Sequence, residues 1–127
     1  MDIEIGADGG KNCHVTIIGQ LTENLPKPAP ILIFKDLNGA PKRLRLDGIQ
    51  FAVQEKMGFN LWWIMPSENQ IPAYRLIMPI ESRGGFDFEK IKPVSSPLEA
   101  LGLALTSFKV TEKDGMSYLI MLDLTKQ

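Results

Sequence analysis

Short apolar and β-branched runs, broken by glycine- and proline-rich segments, recur along the chain. Such runs bounded by turn residues are typical of β-strands, whereas long amphipathic helices would show a period near 3.6 residues. The first two strands are predicted at Asp2 to Ile5 and at His14 to Leu21, with a glycine-rich loop between them. The segment from Pro26 to Pro30 alternates proline and is predicted to be an extended connector.

Turn chemistry between Ile31 and Met65 predicts an antiparallel meander of consecutive strands. Asn38-Gly39 and Asp47-Gly48 are preferred centres of two-residue hairpins, because both turn positions need a positive φ. A third connection, a three-residue bulged loop, is predicted at Lys56-Met57-Gly58.

This register sorts the side chains of the meander onto two faces, since successive strand residues point in opposite directions. One face is predicted to form the core: Ile31, Ile33, Leu44, Leu46, Ile49, Phe51, Val53, Phe59, Leu61, Trp63 and Met65. The opposite face collects Leu32, Phe34, Arg43, Arg45, Gln50, Ala52, Gln54, Asn60, Trp62 and Ile64. The turn chemistry and the apolar pattern therefore agree.

The second half of the chain predicts three more features. Ile71 to Ile80 is predicted to be an edge strand, because its two prolines cannot donate ladder hydrogen bonds. Ser96-Pro97-Leu98-Glu99 has the form of a capping box and predicts one short helix near residues 97–102. A C-terminal hairpin is predicted from Leu105–Thr111 and Met116–Leu124 around Lys113-Asp114-Gly115.

These elements predict a mainly β fold: an antiparallel meander closed as a β-sandwich or a small barrel. The length of 127 residues is that of one globular domain, residues 1–127, that buries a core without disulfides or metals. Cys13 is the single cysteine, which favours a reducing compartment. The acidic start, Met1 to Glu4, lacks the layout of a signal peptide, so we expect a cytoplasmic protein.

Composition and charge exclude some classes of function. The formal net charge of −1 argues against a strongly basic nucleic-acid-binding protein. The longest apolar runs, Leu61 to Met65 and Tyr118 to Leu122, hold five residues each. A membrane-spanning helix needs about 20 apolar residues, so no membrane partner is expected.

No catalytic motif is found, and no cofactor or metal site is predicted. Gly6-x-x-x-Gly10-Lys11 has one residue too few between its glycines for a phosphate-binding loop. Cys13 and His14 are neighbours in a predicted strand and point to opposite faces, which prevents a nucleophile–base pair. Dispersed carboxylates could still converge in space: Asp36, Asp47, Glu55, Glu68, Asp87, Glu89 and Asp123.

Trp62 is the candidate binding residue, because the predicted register places it on the non-core face. There it ends a row that begins at Phe34 and includes Arg43, while Arg45 lies in the next row. An aromatic plane beside guanidinium groups suits a base, a sugar or an aromatic side chain with an anionic partner. Three interpretations stay open: a second core layer under the C-terminal hairpin, a protein interface, and a ligand platform.

We therefore expect a non-catalytic structural or protein-interaction module that binds itself or another protein. The alternative is a small barrel that binds single-stranded nucleic acid or a small anionic ligand through the Trp62 and Arg43 face. Residues 35–46 carry four basic side chains against Asp36, which is a modest positive patch. A nucleic-acid channel usually carries more, so the interaction module ranks first.

Overall fold

Most of the described chain is β-strand in the computed structural model, which describes residues 1–21, 25–54, 57–92, 94–109 and 116–127. Within these residues the strands are β1 (Asp2–Gly6), β2 (Asn12–Leu21), β3 (Leu25–Ile33), β4 (Leu44–Val53), β5 (Met57–Glu68), β6 (Ile71–Glu81), β7 (Arg83–Asp87), β8 (Val94–Ser95), β9 (Gly102–Lys109) and β10 (Met116–Lys126). A 3-10 turn, Phe34–Asp36, and a four-residue helix α1, Phe88–Ile91, complete the described elements. The mainly β prediction is confirmed.

Two antiparallel sheets pack against each other. Sheet A has the order β1-β2-β10-β4-β7, and the short β8 also pairs with β4. Sheet B has the order β3-β9-β5-β6. Of the two predicted closures, the sandwich is therefore confirmed.

The core lies between the sheets and takes alternate residues from their central strands. The largest fully buried side chains are Ile17, Leu44, Leu46, Ile49, Phe59, Leu61, Ile80, Leu103, Leu105, Ile120, Leu122 and Leu124. Burying an aliphatic or aromatic side chain contributes about 1.5–3 kcal/mol, so this layer is the main favourable term in folding.

The predicted meander from Ile31 to Met65 is wrong, because its strands lie in the two sheets by turns. β3 lies in sheet B, β4 in sheet A and β5 in sheet B. Gly39 does adopt a positive φ, but its turn belongs to a connection between sheets. Asn38 fixes this connection: its backbone N–H donates to Asp8 Oδ2 at 2.9 Å and its side-chain amide donates to the Asp8 carbonyl at 2.7 Å.

Asp47-Gly48 is a bulge inside β4 and not the predicted hairpin. Leu46 pairs with Leu124 and Gly48 pairs with Asp123, so Asp47 is an extra residue relative to β10. One extra residue in a strand reverses the side of the sheet to which every later side chain points. A two-residue turn has the same effect on which residues share a face. Leu46 and Ile49 consequently both face the core, although they are three positions apart.

For this reason most of the predicted core residues are buried, although the predicted strand pairing is wrong. Eight of the predicted residues are buried: Ile31, Leu44, Leu46, Ile49, Val53, Phe59, Leu61 and Trp63. Phe51 and Met65 pack against the core from half-buried positions. Three residues depart from the prediction, since Leu32 and Phe34 are buried and Ile33 is only half-buried.

The edge prediction for the proline-containing strand is confirmed. β6 lies at one edge of sheet B, next to β5. The predicted connector from Pro26 to Pro30 is also extended, but it belongs to β3, the other edge strand of that sheet.

The short helix predicted near 97–102 is not formed, and a hydrogen-bonded turn takes its place. The Ala100 amide donates to the Pro97 carbonyl at 3.1 Å, and β9 begins at Gly102. Ser96 is used elsewhere: its hydroxyl accepts from the Leu44 amide at 3.1 Å, and its own amide donates to the Leu44 carbonyl at 2.8 Å. The predicted capping serine therefore fixes β4.

The C-terminal hairpin is also wrong, because β9 lies in sheet B and β10 in sheet A. Its predicted turn, Lys113-Asp114-Gly115, lies outside the described residues, as does Lys56 of the predicted third loop. Met57 and Gly58 of that loop belong to β5. In the described ranges, no helix has the length and apolar character needed to cross a membrane.

Lys126 of β10 binds the loop between β1 and β2 and the connection between β3 and β4. Its Nζ donates to an Asp8 carboxylate oxygen, to the Gly9 carbonyl, and to the Asn38 carbonyl at 2.8 Å. The Lys126 hydrogen bond, followed by the Asn38 backbone N–H, holds the pKa of the Asp8 carboxyl below its ordinary value. Lys126 and Asn38 therefore stabilise the ionised form of Asp8.

We expect Gly102→Ala to destabilise the protein by about 1–3 kcal/mol or more, because a Cβ there would lie 2.2 Å from the Leu32 carbonyl oxygen. Gly10→Ala is the matched control, since a Cβ at that position meets nothing within 4 Å. It should change the free energy of unfolding by less than about 0.5 kcal/mol. Urea unfolding of both variants measures the difference, and equal losses would contradict the close approach of β3 to β9.

We expect Asp8→Asn to reduce the acid sensitivity of folding. A carboxyl whose pKa is lowered on folding contributes stability above its ordinary pKa and loses it as the pH falls through the folded value. The thermal midpoint of the unmodified protein should therefore fall more between pH 6 and pH 2 than that of Asp8→Asn. Parallel pH profiles for the two proteins would show that the Lys126 ion pair does not stabilise the fold.

Candidate protein-interaction surface

Trp62 lies on β5, on the face of sheet B that points away from sheet A. It pairs with Ala104 of β9 on one side and with Leu76 of β6 on the other. The half-buried ring donates from Nε1 to Thr106 Oγ1 at 2.9 Å. The C-terminal hairpin that would have covered this ring does not exist, so Trp62 forms part of the outer surface of sheet B.

Arg45 belongs to β4 of the other sheet, Arg43 lies directly before that strand, and both contact protein groups. Arg45 Nε donates to Asp47 Oδ1 at 2.5 Å, and its Nη2 lies 3.4 Å from Thr125 Oγ1. Arg43 Nη2 donates to the Ser96 carbonyl at 2.9 Å. Both side chains are half-buried.

Phe34, the fourth predicted site residue, is buried in the 3-10 turn. Its ring meets Trp63 edge-on, with centroids 6.3 Å apart and planes at 80°. The row predicted to join Phe34, Arg43 and Trp62 is therefore not formed, because β4 and β5 do not pair. A binding role for Trp62 or the two arginines stays a prediction.

Cys13 and His14 point to opposite faces of β2. Cys13 is fully buried, and this burial raises the pKa of its thiol. His14 is exposed on the outer face, where its Nδ1 contacts the Asp123 carboxylate of β10. The two side chains accordingly form no nucleophile–base pair.

The carboxylates form no metal centre within the described ranges, where no group of three or more histidine, cysteine, aspartate or glutamate side chains is placed to hold an ion. Glu55 lies outside those ranges. Asp47 accepts hydrogen bonds from Arg45 and Thr125, which accounts for both of its oxygens.

The outer face of sheet A carries an apolar patch that spans three adjacent strands. In the register of the sheet, Ile18 of β2 lies beside Leu119 of β10, and Leu119 lies beside Ala52 of β4. Met121 occupies the next outward position on β10. We call these four residues the apolar patch. Ile18 is 51% exposed and Met121 is 37% exposed.

Opposite charges flank this patch. Asp2 of β1 pairs with Ile18, and Arg83 of β7 pairs with Ala52. Both charged residues are exposed. One row across sheet A therefore has an acidic end, an apolar middle and a basic end: Asp2, Ile18, Leu119, Ala52 and Arg83.

The other end of the same face is polar. Thr125 Oγ1 contacts Asp47 and lies 3.3 Å from Asn12 Oδ1, beside the pair of His14 and Asp123. These side chains line a groove of about 610 Å³. The face thus changes from apolar to polar along its strands.

Sequence reasoning missed this face because its neighbours come from β2, β10 and β4, which are distant in the chain. One signal was present. The run from Tyr118 to Leu122 is apolar at every position, although a strand with one solvated face alternates. Its odd positions, Leu119 and Met121, are the ones that face outward.

A scan against protein-family models finds no match for this chain. A search of curated proteins also finds no similar sequence.

We expect Trp62→Phe to destabilise the protein by about 0.5–1.5 kcal/mol, because it removes the hydrogen bond to Thr106. Thr106→Val, which keeps the side-chain shape, should cost a similar amount, and the double variant should cost less than the sum. Urea unfolding of the four proteins gives the coupling energy. Additive losses would show that the indole N–H makes no stabilising bond.

Proposed function

We propose that the protein is a non-catalytic interaction module that self-assembles as a dimer through the outer face of sheet A. The apolar patch supports this proposal, because Ile18 and Met121 are exposed on the outer face and Leu119 and Ala52 are half-buried beside them. Contiguous exposed apolar side chains with a polar rim are typical of protein-binding surfaces.

The observation that carries the proposal is the charge order of the row from Asp2 to Arg83. Two copies can face each other through this surface if a twofold axis lies between them, parallel to β10. The rotation reverses the order of the row in the second copy. Asp2 of one copy then faces Arg83 of the other, and the same contact forms again at the opposite end. Five strands about 4.8 Å apart put these two charges roughly 19 Å from each other within one copy. The face is therefore complementary to itself, as an isologous interface must be.

The same axis places the outward residues of β10 opposite their own copies. Leu119 and Met121 then pack at the centre of the contact, where water is excluded most completely. Central apolar side chains contribute most to binding, while charges at the rim set orientation and association rate. The patch thus supplies affinity and the two charged ends supply orientation.

The contacts of the two arginines favour this proposal over binding of single-stranded nucleic acid. Arg45 is engaged with Asp47, and Arg43 with the Ser96 carbonyl, so neither guanidinium is presented as a free phosphate ligand. Trp62 lies on the opposite sheet from both. The net charge of −1 adds no general attraction for phosphates.

Met121→Lys tests the apolar centre, since it brings two like charges together on the axis. We expect light scattering after size exclusion to show a dimer for the unmodified protein and a monomer for this variant. Ile71→Lys is the control, because Ile71 is 68% exposed on sheet B and should leave the dimer unchanged. A monomeric mass for the unmodified protein at its highest soluble concentration would overturn the proposal.

Charge exchange tests the ends of the row. Asp2→Arg and Arg83→Asp should each weaken the dimer several-fold, because each places like charges opposite one another. The double variant should recover most of the loss, since it restores opposite charges with their positions exchanged. Sedimentation equilibrium measures the three constants, and a double variant weaker than both single variants would contradict the twofold arrangement.

A further inference from the structure

The two sheets of the sandwich expose edge strands that differ in how they resist further pairing. β3 and β6 are the edges of sheet B. β3 contains three prolines and β6 contains two, and each proline removes a backbone donor. Prolines on an edge strand prevent another chain from extending the sheet. Sheet B is therefore protected at both edges.

The β7 edge of sheet A carries two glycines. β7 has five residues, as β1 has, and Gly84 and Gly85 are its second and third. β8 pairs with the same neighbour, β4, further along. Phe86 is 46% exposed on this strand, but an added strand would find no side chain to pack against at the two glycines.

β1 differs from β3 and β6 in its backbone and from β7 in its side chains. Its sequence, Asp2-Ile3-Glu4-Ile5-Gly6, contains no proline. In the described part of the chain β1 pairs with β2, and no other strand lies on its second side. Its backbone groups on that side are available to another strand.

The apolar side chains of β1 lie on the core side of sheet A but remain partly exposed at its edge. Ile3 pairs with Ile17 and Ile5 pairs with Val15, so both isoleucines share the core side of sheet A. Ile17 and Val15 are fully buried, yet Ile3 is 39% exposed and Ile5 is 41% exposed. An added strand would cover these isoleucines with its own apolar residues.

The acidic side chains of β1 point to the other side of the sheet. Asp2 pairs with Ile18 and Glu4 pairs with Thr16, and both acids are exposed. Opposite charges on directly facing strand residues stabilise a sheet, and like charges destabilise it. The strand that complements β1 therefore alternates apolar residues with lysine or arginine.

We propose that β1 is a docking edge for an extended segment of a partner protein in which apolar and basic residues alternate. The segment joins sheet A antiparallel to β1, sets its apolar side chains beside Ile3 and Ile5, and pairs its basic side chains with Asp2 and Glu4. Main-chain hydrogen bonds supply affinity and the alternating side chains supply specificity, as in other cases of strand addition.

Charge argues against a second copy as the occupant of this edge. The antiparallel register with the fullest overlap sets Asp2 against Gly6 of the other copy, and it brings Glu4 opposite Glu4. Two carboxylates directly opposite each other are unfavourable. The edge and the outer face therefore have different occupants, a basic strand and the proposed second copy, and Asp2 lies where the two surfaces meet.

The test uses the full protein, labelled with nitrogen-15, and a short capped peptide in which lysine and valine alternate. We expect amide shift changes in β1 and β2 on titration, with an affinity that falls as salt is added. A peptide of the same composition with its lysines and valines in separate blocks should bind at least about tenfold more weakly. Equal binding of the two peptides, or shifts confined to other strands, would overturn the proposal.

Glu4→Lys is the matching variant, because Glu4 is exposed and its replacement should leave the fold intact. It should weaken the lysine–valine peptide and strengthen a glutamate–valine peptide. Glu81→Lys, an exposed acid on the protected edge β6, should change neither affinity. Dimerisation of the unmodified protein through β1 would make a second copy the occupant and would also overturn the proposal.

Met121→Lys separates this proposal from the proposed dimer. It alters the outer face two strands away from β1 and should keep its affinity for the lysine–valine peptide. Loss of peptide binding in this variant, with the fold intact, would show that the peptide binds the outer face and would overturn docking at β1.

Discussion

β4 lies beside β10 in sheet A, and its two halves face the core only because Asp47 is inserted between them. Without the extra residue, Leu44 and Leu46 would face inward while Ile49 and Val53 faced solvent, or the reverse. Leaving such side chains exposed would forgo about 1.5–3 kcal/mol each. The rest of the sandwich depends on this bulge, since both β7 and β8 pair with the strand that it bends.

The inserted residue is held by its side chain. Asp47 accepts from Arg45 on its own strand and from Thr125 on β10, so a carboxylate is fixed on the outer face by two different strands. The same region forms the polar end of that face, beside His14 and Asp123. Further along the same face lies the apolar patch proposed as the dimer contact. The bulge therefore links the packing of the core to the character of the surface.

Local chemistry was predictable from the sequence, and long-range pairing was not. The strands β2 and β6, the edge role of the prolines in β6 and the burial of Leu44, Leu46, Ile49 and Val53 follow from local pattern. The predicted strand pairing was wrong because a two-residue turn and a one-residue bulge both put Leu46 and Ile49 on the same face. The sequence pattern is therefore the same for the two structures. Ser96 shows the same ambiguity, since a serine that suits a helix cap serves equally well to bind a strand.

The candidate surface was harder to predict than the core. The apolar patch joins residues from β2, β10 and β4, and no local spacing shows that Ile18 and Leu119 are neighbours. Trp62 was predicted to bind because the predicted register placed it beside the two arginines, but β4 and β5 do not pair and the indole donates to Thr106. The informative sign was the uninterrupted apolar run in β10, in which alternate residues have no place in the core.

The central claim is that two copies meet through the outer face of sheet A with β10 along the axis. Cross-linking tests it most directly, because facing sheets lie about 10 Å apart and a bismaleimide of similar reach joins two facing thiols. Cys13 is fully buried and should not compete. We predict a covalent dimer from Met121→Cys and a monomer from Ile71→Cys under the same conditions. Equal cross-linking of the two variants, or none from Met121→Cys, would contradict the claim.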